Sequence, residues 1–507
     1  MTGEAPLLIR ADATSSMGTG HAMRCLSLAQ AWQDAGGMCV FAAVELTPSV
    51  RRRIEAENCE VVLLDADAGS PSDARQFVDL ARKQNSGNVV VDGYQFGADY
   101  QRGLKSAGLR TLLIDDYGHA EHYSADLVLN QNISAAEKFY AHREPETRLL
   151  LGPRYALLRR EFHAWRDYGR QIPSVARKVL ITLGGSDPEN LTNLALEAVA
   201  SITLDGLEAV VVVGGSNPHY ESLKQIGSEL ANQHGTKITV RRDVTNMGEF
   251  MAWADVAISA AGSTCWELCL LGLPSLLIDV ADNQTGVARE LQRRQFAVHV
   301  GSAKAISAVR LSRELDDLLR AKELRQTLST RARELVDGNG AARVASVLRG
   351  DNVVHLRRAK EGDSQLLFDW ANDPAVRFAA FSSAPISWES HVRWFLEKLQ
   401  GGRSFIWIGE DDEGTPLGQI RFDEREDGES EVDVTIAPAK RGRRLAHVLI
   451  QLGTDAFLRE NDCRLIHAFV KDQNIASARA FEKAGFTRVG TTQVRGNTAI
   501  HFTYKRS

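Results

Sequence analysis

The sequence Met17-Gly-Thr-Gly-His-Ala-Met-Arg-Cys25 directly follows a short apolar segment, Pro6–Arg10. This order predicts a strand, a glycine turn and then a helix. The helix is predicted because apolar residues recur at the i, i+3, i+4 and i+7 positions from Cys25 to Trp32, which gives it one apolar face. A strand that leads through a turn into an amphipathic helix is the building unit of α/β domains with parallel sheets.

His21 lies where this helix is predicted to begin, between the glycine turn and the apolar face. Gly18 and Gly20 allow the backbone to turn tightly and leave space for a ligand. The N-terminus of a helix disfavours an added positive charge, so an imidazole there tends to stay neutral and available as a base. A capping or packed histidine is the alternative that the residues leave open.

Length and composition limit the classes of protein that the chain can belong to. At 507 residues it is too long for one core, and roughly three domains are expected. With 44% hydrophobic and 25% charged residues it is typical of a soluble globular protein, and the net charge of −5 argues against nucleic-acid partners. No apolar signal segment or membrane span is evident, so the cytoplasm is expected and a membrane is not. The oligomeric state is not predictable from the sequence.

Short apolar runs alternate with helical patterns over about the first 340 residues. The predicted strands are Cys39–Ala43, Val61–Leu64, Val89–Asp92, Thr111–Asp115, Leu127–Leu129, Lys178–Leu183, Glu208–Gly214, Lys237–Arg241, Val256–Ser259 and Pro274–Ile278. Such alternation predicts parallel sheets with helices on both faces. Because the pattern restarts after the polar segment Arg166–Ala176, we expect two Rossmann-like domains, residues 1–165 and 166–349, with a ligand cleft between them.

The pattern changes from Val353 onward. Three adjacent strands joined by turn residues are predicted first, Ser404–Glu410, Leu417–Asp423 and Glu431–Ile436. A helix, a strand and a second helix follow at His447–Glu460, Arg464–Val470 and Ile475–Ala484. We therefore expect an α+β domain over residues 353–507, after two α/β domains.

Two turns of the second domain are suited to phosphate. Leu183-Gly-Gly-Ser-Asp-Pro188 lies between a strand and a predicted helix, Glu189–Ala200, so its glycines are expected to present free N–H groups at a helix N-terminus. Ser259-Ala-Ala-Gly-Ser-Thr-Cys-Trp-Glu267 also joins a predicted strand to a helix. Its final glutamate either accepts two ribose hydroxyls or completes a capping box with Thr264.

Val91-Asp-Gly-Tyr94 lies at the carboxyl end of a predicted strand of the first domain. Open parallel sheets bind ligands at that end. Asp92 and Tyr94 are therefore expected either to orient a group near His21 or to complete a turn.

Taken together, these motifs resemble the GT-B nucleotide-sugar fold and, within it, the UDP-sugar hydrolases of pseudaminic acid biosynthesis. The resemblance covers roughly residues 5–348 and depends on the combination of motifs. Besides the turns above, it includes Arg10-x-Asp12, Gly18-x-Gly20-His21-x-x-Arg24-Cys25-Leu26, Asp92-x-Tyr94, Asp115-Asp116 and Leu157-Leu158-Arg159-Arg160-Glu161-Phe162.

The resemblance implies hydrolysis of UDP-2,4-diacetamido-2,4,6-trideoxy-β-L-altropyranose to UDP and the free sugar. By this analogy His21 activates water as a general base, with Asp92 and Tyr94 near it, and UDP leaves with inversion. The UDP-binding residues that it implies are Gly20, Gly184, Gly185, Ser186, Ser263, Thr264 and Glu267. No DxD-type metal motif lies in a suitable place, so no metal is expected to be required.

Two segments of the third domain carry a different pattern. Ile436-Ala-Pro-Ala-Lys-Arg-Gly-Arg-Arg-Leu-Ala446 follows a strand and opens a helix with arginines that suit phosphate, although a solvated helix start is the alternative. The second segment reads Asn474-x-x-Ser477-x-x-x-Phe481-x-x-x-Gly485-Phe486. Together they resemble the GNAT acetyltransferases over residues 353–507, which implies acetyl-CoA as co-substrate.

The GNAT resemblance also implies site residues. Those for acetyl-CoA are Arg441, Gly442, Arg443, Arg444, Leu445, Ala446, Asn474 and Ser477. Arg444 stands where the usual phosphate loop has its central glycine, so either Gly442 supplies the flexibility or cofactor affinity is altered. Asn474 is expected near the pantetheine arm. Tyr504, in the predicted final strand His501–Lys505, is the candidate for protonating the thiolate, ahead of Glu431 and Asp433.

The two resemblances together imply a bifunctional enzyme that acetylates the 4-amino group of a UDP-sugar and then removes UDP. The same chemistry on an isomeric nucleotide-sugar would leave the same motifs. A GT-B glycosyltransferase with an accessory acetyltransferase domain is the second hypothesis. A UDP-sugar sensor or scaffold with a degenerate GNAT domain is the third, and the complete Asn474–Phe486 pattern argues against it.

Overall fold

The computed structural model of the chain describes residues 5–14, 17–185, 187–215, 217–234, 236–350, 354–411, 414–443 and 445–505, without the side chain at 234. The chain divides into two compact units, Met1–Arg349 and Gly350–Ser507. Of the helices in these ranges, none has the length and apolar character needed to cross a membrane.

The first unit contains two parallel sheets. The strands of its first sheet are β1 (Leu7–Ala11), β2 (Cys39–Ala43), β3 (Glu60–Leu63), β4 (Asn88–Asp92), β5 (Arg110–Ile114), β6 (Leu127–Asn130) and β7 (Arg148–Leu151). Those of the second are β8 (Lys178–Thr182), β9 (Glu208–Val213), β10 (Lys237–Arg242), β11 (Val256–Ala260), β12 (Ser275–Asp279) and β13 (Val298–Ser302). The strand orders are β3-β2-β1-β4-β5-β6-β7 and β10-β9-β8-β11-β12-β13.

Helices connect these strands and follow the last of them. They are α1 (Gly20–Asp34), α2 (Pro48–Ala56), α3 (Pro71–Lys83), α4 (Ala98–Ser106), α5 (Leu191–Ala200), α6 (Tyr220–His234), α7 (Met247–Trp253), α8 (Thr264–Leu270), α9 (Asp282–Arg293), α10 (Ala308–Arg320), α11 (Lys322–Leu335) and α12 (Gly340–Arg349). Short 3-10 helices occupy Glu137–Tyr140, Pro153–Tyr155 and Arg160–Trp165. The last helix returns to the first sheet's layer, where the Arg349 guanidinium donates to the carbonyl of Trp32 and covers its indole ring.

The strand order explains where a ligand can bind in the first unit. Each sheet reverses its winding direction next to its first strand, between β1 and β4 in one sheet and between β8 and β11 in the other. A crevice opens at such a point beyond the carboxyl ends of the strands. Every residue of β1 and β11 is buried, because helices cover both sheet faces. The polar residues that follow these strands are therefore gathered at the two crevices.

The second unit is built on a mixed sheet. Its strands are β14 (His355–Arg358), β15 (Ser404–Glu410), β16 (Pro416–Glu424), β17 (Ser430–Ile436), β18 (Leu465–Lys471), β19 (Thr487–Val494) and β20 (Asn497–Lys505), in the order β14-β15-β16-β17-β18-β20-β19. Its helices are α13 (Ser364–Ala371), α14 (Pro374–Ala379), α15 (Trp388–Gln400), α16 (Leu445–Glu460) and α17 (Ile475–Lys483), with 3-10 helices at Glu361–Asp363 and Pro438–Lys440. All neighbouring strands are antiparallel except β17 and β18. The predicted fold class, two Rossmann-like domains followed by an α+β domain, is confirmed.

Candidate functional site

His21 is the second residue of α1 and is 9% exposed. Its Nδ1 lies 2.7 Å from Oδ1 of Asp92, the last residue of β4. A carboxylate only accepts hydrogen bonds, so Nδ1 donates and the lone pair stays on Nε2. Nε2 has no hydrogen-bond partner among the described residues. The pair thus has the geometry of a general base held in one tautomer.

Arg24, one helical turn after His21, fixes the carboxylate of Asp92. Its Nε and Nη2 donate to the two Asp92 oxygens over 2.6 and 2.7 Å, and its Nη1 donates to Asp116 over 2.8 Å. Burial acts against ionisation of Asp92, but Arg24 and His21 hold the pKa of this carboxyl well below its usual range. Asp92 is therefore an anion that orients the His21 imidazole.

Tyr94 lies over His21 and links the two sheets. The two rings meet edge to face with centroids 5.1 Å apart. The Tyr94 hydroxyl donates to Asp116 over 2.7 Å and accepts a hydrogen bond of 2.8 Å from Asn283 of α9. Burial and the Asp116 charge raise the pKa of Tyr94. Of the two neighbours predicted for His21, only Asp92 hydrogen-bonds to it.

The predicted glycine turn of the second sheet lies against the N-terminus of α1. A Cβ on Gly185 would stand 2.3 Å from Oγ1 of Thr19, so only glycine allows this approach. Gly184 has a φ of 98°, in the left-handed region that favours glycine. The N–H groups of these two glycines have no hydrogen-bond partner among the described residues, and Ser186 lies outside those residues.

The predicted start of the helix after this glycine turn is wrong. α5 begins at Leu191, not Glu189, and its N-cap residue Asn190 makes no side-chain cap bond. The Asp187 carboxylate accepts from the N–H groups of Leu191 and Thr192, both over 2.9 Å. These donors are therefore not available to a phosphate, which leaves the N–H groups of Gly184 and Gly185.

Glu267 does not form the capping box that was one of its two expected roles. Ser263 is the N-cap of α8 without a side-chain bond, and Glu267 accepts instead from Arg159 over 3.0 Å. Burial raises the pKa of Glu267 to about 7, with Arg159 opposing this shift and Glu161 adding to it. Ser263 and Thr264 line the same cleft as Glu267.

The cleft between the two sheets has a cavity volume of about 540 Å³, within the size range of small-molecule sites. It brings together nearly all the residues predicted for the first unit. Those that line it are Gly20, His21, Tyr94, Gly184, Gly185, Ser263, Thr264 and Glu267. Asp92 lies directly behind His21 and is 1% exposed. The arrangement suits deprotonation of a water or hydroxyl beside a polar ligand.

In the second unit, β17 and β18 diverge. Their register contains only the pairs Ser430↔Ile466 and Glu431↔His467, after which the two parallel strands separate. The backbone groups beyond these pairs need other partners, and an extended ligand with amide groups can supply them.

The basic loop after β17 takes the shape that the sequence suggests. Gly442 has a φ of 80°, so it supplies the tight turn, and α16 begins at Leu445. Arg441 pairs with Asp373 at 2.7 Å, and Arg443 also has a partner. Ala446 lies in the first turn of α16, and Arg444 lies outside the described residues.

Asn474 and Tyr504 both have structural contacts. The Asn474 side chain caps α17 by accepting from the N–H of Ser477 over 3.1 Å. Tyr504 lies on the sheet face that carries α16 and α17, where its ring packs on Phe486 with centroids 5.2 Å apart. The roles predicted for these residues with acetyl-CoA stay predictions.

Several cleft residues had no role in the sequence-based hypothesis. Arg24 and Asp116 were part of the quoted motifs, and the three-residue spacing of His21 and Arg24 on one helix places them on one face. Asn283 gave no signal, because it begins an ordinary polar helix of the other sheet. Among the described residues, no group of three or more His, Cys, Asp or Glu side chains has a metal-holding arrangement.

Two parts of the chain match known families. Residues 179–346 match the Glycosyltransferase family 28 C-terminal domain, and residues 354–487 match the Acetyltransferase (GNAT) domain. The chain thus joins a glycosyltransferase-like domain to an acetyltransferase domain, and both resemblances are confirmed at that level.

The curated relatives of this chain include three of low identity. The uncharacterized protein MJ1062 of Methanocaldococcus jannaschii is 22% identical over 502 residues, 98% of this chain and 99% of the relative. The spore coat polysaccharide biosynthesis protein SpsG of Bacillus subtilis is 27% identical over 234 residues, 46% of this chain and 66% of the relative. The UDP-2,4-diacetamido-2,4,6-trideoxy-β-L-altropyranose hydrolase of Campylobacter jejuni is 25% identical over 294 residues, 58% of this chain and 98% of the relative.

Proposed function

We propose that the protein is a bifunctional nucleotide-sugar enzyme. Its second unit transfers acetyl from acetyl-CoA to the 4-amino group of UDP-4-amino-4,6-dideoxy-β-L-AltNAc. Its first unit then hydrolyses the product, UDP-2,4-diacetamido-2,4,6-trideoxy-β-L-altropyranose, to UDP and the free sugar. The observation that carries the hydrolytic step is the Asp92-fixed imidazole of His21, which leaves Nε2 as an acceptor beside the cleft.

In the proposed hydrolysis, His21 Nε2 takes a proton from water as the oxygen attacks the anomeric carbon. The bond between that carbon and the diphosphate oxygen breaks, UDP leaves with the electron pair, and configuration inverts. Asp92 stabilises the imidazolium that forms. General-base assistance of this kind contributes roughly 10²–10⁴ in rate.

The second sheet is proposed to hold UDP. The N–H groups of Gly184 and Gly185 face the diphosphate, and the hydroxyls of Ser263 and Thr264 add further donors. Glu267, released from part of its contact with Arg159, accepts the ribose hydroxyls. No step of this scheme requires a metal ion.

Two comparisons support the choice of reactions. The Campylobacter jejuni relative, whose name states the proposed hydrolysis, is matched over nearly its full length by this chain. The GNAT match supports acetyl-CoA as co-substrate. In this proposal, acetylation of the amino sugar supplies the substrate of the hydrolysis, so the two reactions are consecutive.

The test is mass spectrometry of the products that the full chain makes from UDP-4-amino-4,6-dideoxy-β-L-AltNAc. With acetyl-CoA we expect CoA, UDP and the free diacetamido sugar, and without it much less free sugar. An acetylated UDP-sugar that persists would contradict the hydrolase assignment. If only an isomeric UDP-sugar is converted, the two proposed reactions are retained and the proposed substrate is replaced by that isomer.

A glycosyltransferase is the second candidate, because residues 179–346 match a glycosyltransferase family. The UDP-binding elements would be the same, and the acceptor would be a hydroxyl of another molecule instead of water. Incubation of the UDP-sugar in buffer alone separates the two. A hydrolase releases UDP and sugar together at its full rate, whereas a transferase needs the acceptor for fast release.

A further inference from the structure

One face of the second unit's sheet carries titratable residues that the sequence motifs did not include. Ile466 and Ala468 of β18 are buried against α16 and α17, so the alternating residues His467 and Phe469 lie on the opposite face. On β20 the same alternation places His501 beside them, since Phe469 and His501 are register partners.

The two histidines and Glu429, which lies just before β17, form a continuous hydrogen-bonded chain. Glu429 Oε2 lies 2.5 Å from Nε2 of His467, and Nδ1 of His467 lies 2.9 Å from Nε2 of His501. The carboxylate can only accept, so His467 carries its proton on Nε2 and accepts at Nδ1. His501 must then donate from Nε2, which leaves the lone pair on its Nδ1.

The surroundings keep His501 neutral and available. Burial, with His467 and Arg425 adding to it, lowers the pKa of His501 below its usual value. The ring stacks on Phe469 with centroids 4.8 Å apart. Its Nδ1 has no hydrogen-bond partner among the described residues. The charged groups at this cluster are Glu429, Arg425 and Glu431, the last opposite His467 in the register.

The cluster also lies at the point where the sheet opens. Glu431↔His467 is the last register pair before β17 and β18 diverge, and the arginine-rich loop follows at the end of β17. A thioester threaded between the diverging strands therefore has this histidine pair at the closed end of the opening. Tyr504, the sequence-based candidate, lies on the other face of β20.

We propose that His501 is the general base of acetyl transfer, with His467 and Glu429 as positioning residues that fix its tautomer. This proposal rests on the acetyl-transfer activity proposed above. The acceptor amine attacks the thioester carbonyl carbon, the C–N bond forms, and the C–S bond breaks with its electron pair on CoA sulfur. His501 Nδ1 takes the proton from the amine nitrogen and returns it to water, and the thiolate takes a proton from water.

The first arm of the test needs no acceptor. Proton–nitrogen correlation NMR of the full chain labelled with ¹⁵N-histidine reports which ring nitrogen carries hydrogen. We expect both His467 and His501 to be protonated on Nε2 at neutral pH, with assignments from His467→Gln and His501→Gln. A His501 protonated on Nδ1 would overturn the proposal.

The second arm is the pH profile of CoA release with acetyl-CoA and the 4-amino UDP-sugar. His501→Gln should lower kcat by about 10²–10⁴ and remove the acidic limb of the profile. Glu429→Gln should cost about tenfold, well below the His501 effect, and shift the acidic limb to lower pH, because the imidazolium loses its carboxylate. The affinity for acetyl-CoA should stay unchanged in both variants.

The controls separate this proposal from the proposed function. His355 lies on β14, at the edge of the sheet opposite to β19, so His355→Gln should leave the pH profile unchanged. UDP release by the same preparation reports whether the first unit is intact. If the wild type acetylates the sugar and His501→Gln has the same pH profile, the assignment of His501 as the general base is wrong, while the proposed acetyl transfer is supported. If Glu431→Gln alone abolishes the acidic limb, Glu431 is the base. If the wild type fails to acetylate this sugar, the proposed substrate is wrong. The protonated ring nitrogens of His467 and His501, measured by NMR, still test the hydrogen-bonded chain that positions His501.

Discussion

The two histidine sites of this chain use a carboxylate in different ways. In the first unit, Asp92 contacts His21 directly, is 1% exposed and is held by both Nε and Nη2 of Arg24. In the second unit, Glu429 reaches His501 only through His467, and its side chain is 35% exposed. One site lies between two sheets and the other on the face of one sheet.

The difference in burial between Asp92 and Glu429 shows that orienting a basic histidine and stabilising the fold are separate roles of a carboxylate. A buried carboxylate must be neutralised to remain charged, and Arg24 supplies that charge while it fixes the geometry. A carboxylate at the surface keeps much of its hydration and needs no such partner, so it contributes little to stability. We therefore expect the two sites to respond alike in activity and differently in unfolding.

Replacement of His21 is the sharpest test of the independence of the two sites. His21→Ala should lower UDP release by about 10²–10⁴ and leave acetyl transfer unchanged, measured as free UDP and free CoA from the same sample. His122→Ala is the matched control, since His122 pairs with Glu144 and does not line the cleft. UDP release at near the wild-type rate would refute the assignment of His21 as the base.

Removal of each carboxylate tests the contrast in stability. Asp92→Asn leaves Arg24 buried and partly unpaired, at a cost of about 3–5 kcal/mol, whereas Glu429→Gln should cost about 0–1 kcal/mol. Hydrogen exchange with mass spectrometry resolves α1 from β18 and measures both. Equal losses of stability in the two variants would contradict the expected difference between the buried and the exposed carboxylate.

The Asp92 contribution also has a predictable pH dependence. The folded pKa lies below the unfolded value of about 3.9, so the stabilisation is full above that value and is lost as the pH falls through the folded pKa. The difference in unfolding free energy between wild type and Asp92→Asn should therefore shrink as the pH falls below about 4, measured by chemical denaturation over that range.

Gly185→Ala tests whether the first site depends on close contact between its two halves. The added methyl would clash with Thr19, so we expect a loss of about 1–3 kcal/mol in stability and weaker UDP binding, by calorimetry. Gly87→Ala is the control, because nothing lies within 4 Å of its Cβ position. If the two variants have equal stability and equal UDP affinity, the site does not depend on the close contact between Gly185 and Thr19.

Glu267 is expected to give the smallest effect. If its ionised form accepts the ribose hydroxyls, UDP affinity should rise about tenfold from pH 6 to pH 8, since the pKa of Glu267 is about 7. Glu267→Gln should remove that part of the rise and leave only the titration of UDP itself. If UDP affinity depends on pH in the same way in wild type and variant, Glu267 does not bind the ribose hydroxyls.

Periodicity predicted most of the fold because the buried strands are continuous apolar runs. Cys39–Ala43 and Ser404–Glu410 were predicted to the residue. Four strands were missed, β7, β13, β14 and β19. Of these, β19 is exposed over nearly its whole length and contains four consecutive glycine, threonine or glutamine residues, 490–493, so it gives no apolar signal. The start of α5 was predicted too early because Asp187 and Asn190, both with positive φ, form an extra turn.

The sites were predictable only where their residues belong to local motifs. The glycine turns placed His21 and Gly184 at strand ends, and both residues line the cleft between the two sheets. The contact of Tyr94 with Asn283 joins residues 189 positions apart, and that of His467 with His501 joins residues 34 positions apart. Without an observable pairing of strands, periodicity cannot reveal such contacts.

The arginines of the cleft have a consequence for turnover. Arg24, Arg53 and Arg159 all line it, and each is already paired with a carboxylate of the protein. A diphosphate therefore finds neutralised cations and must rely on backbone N–H groups, which attract it less strongly than free guanidinium groups would. We expect UDP to be a weak product inhibitor that departs quickly, so that the departure of the nucleotide does not limit the cycle.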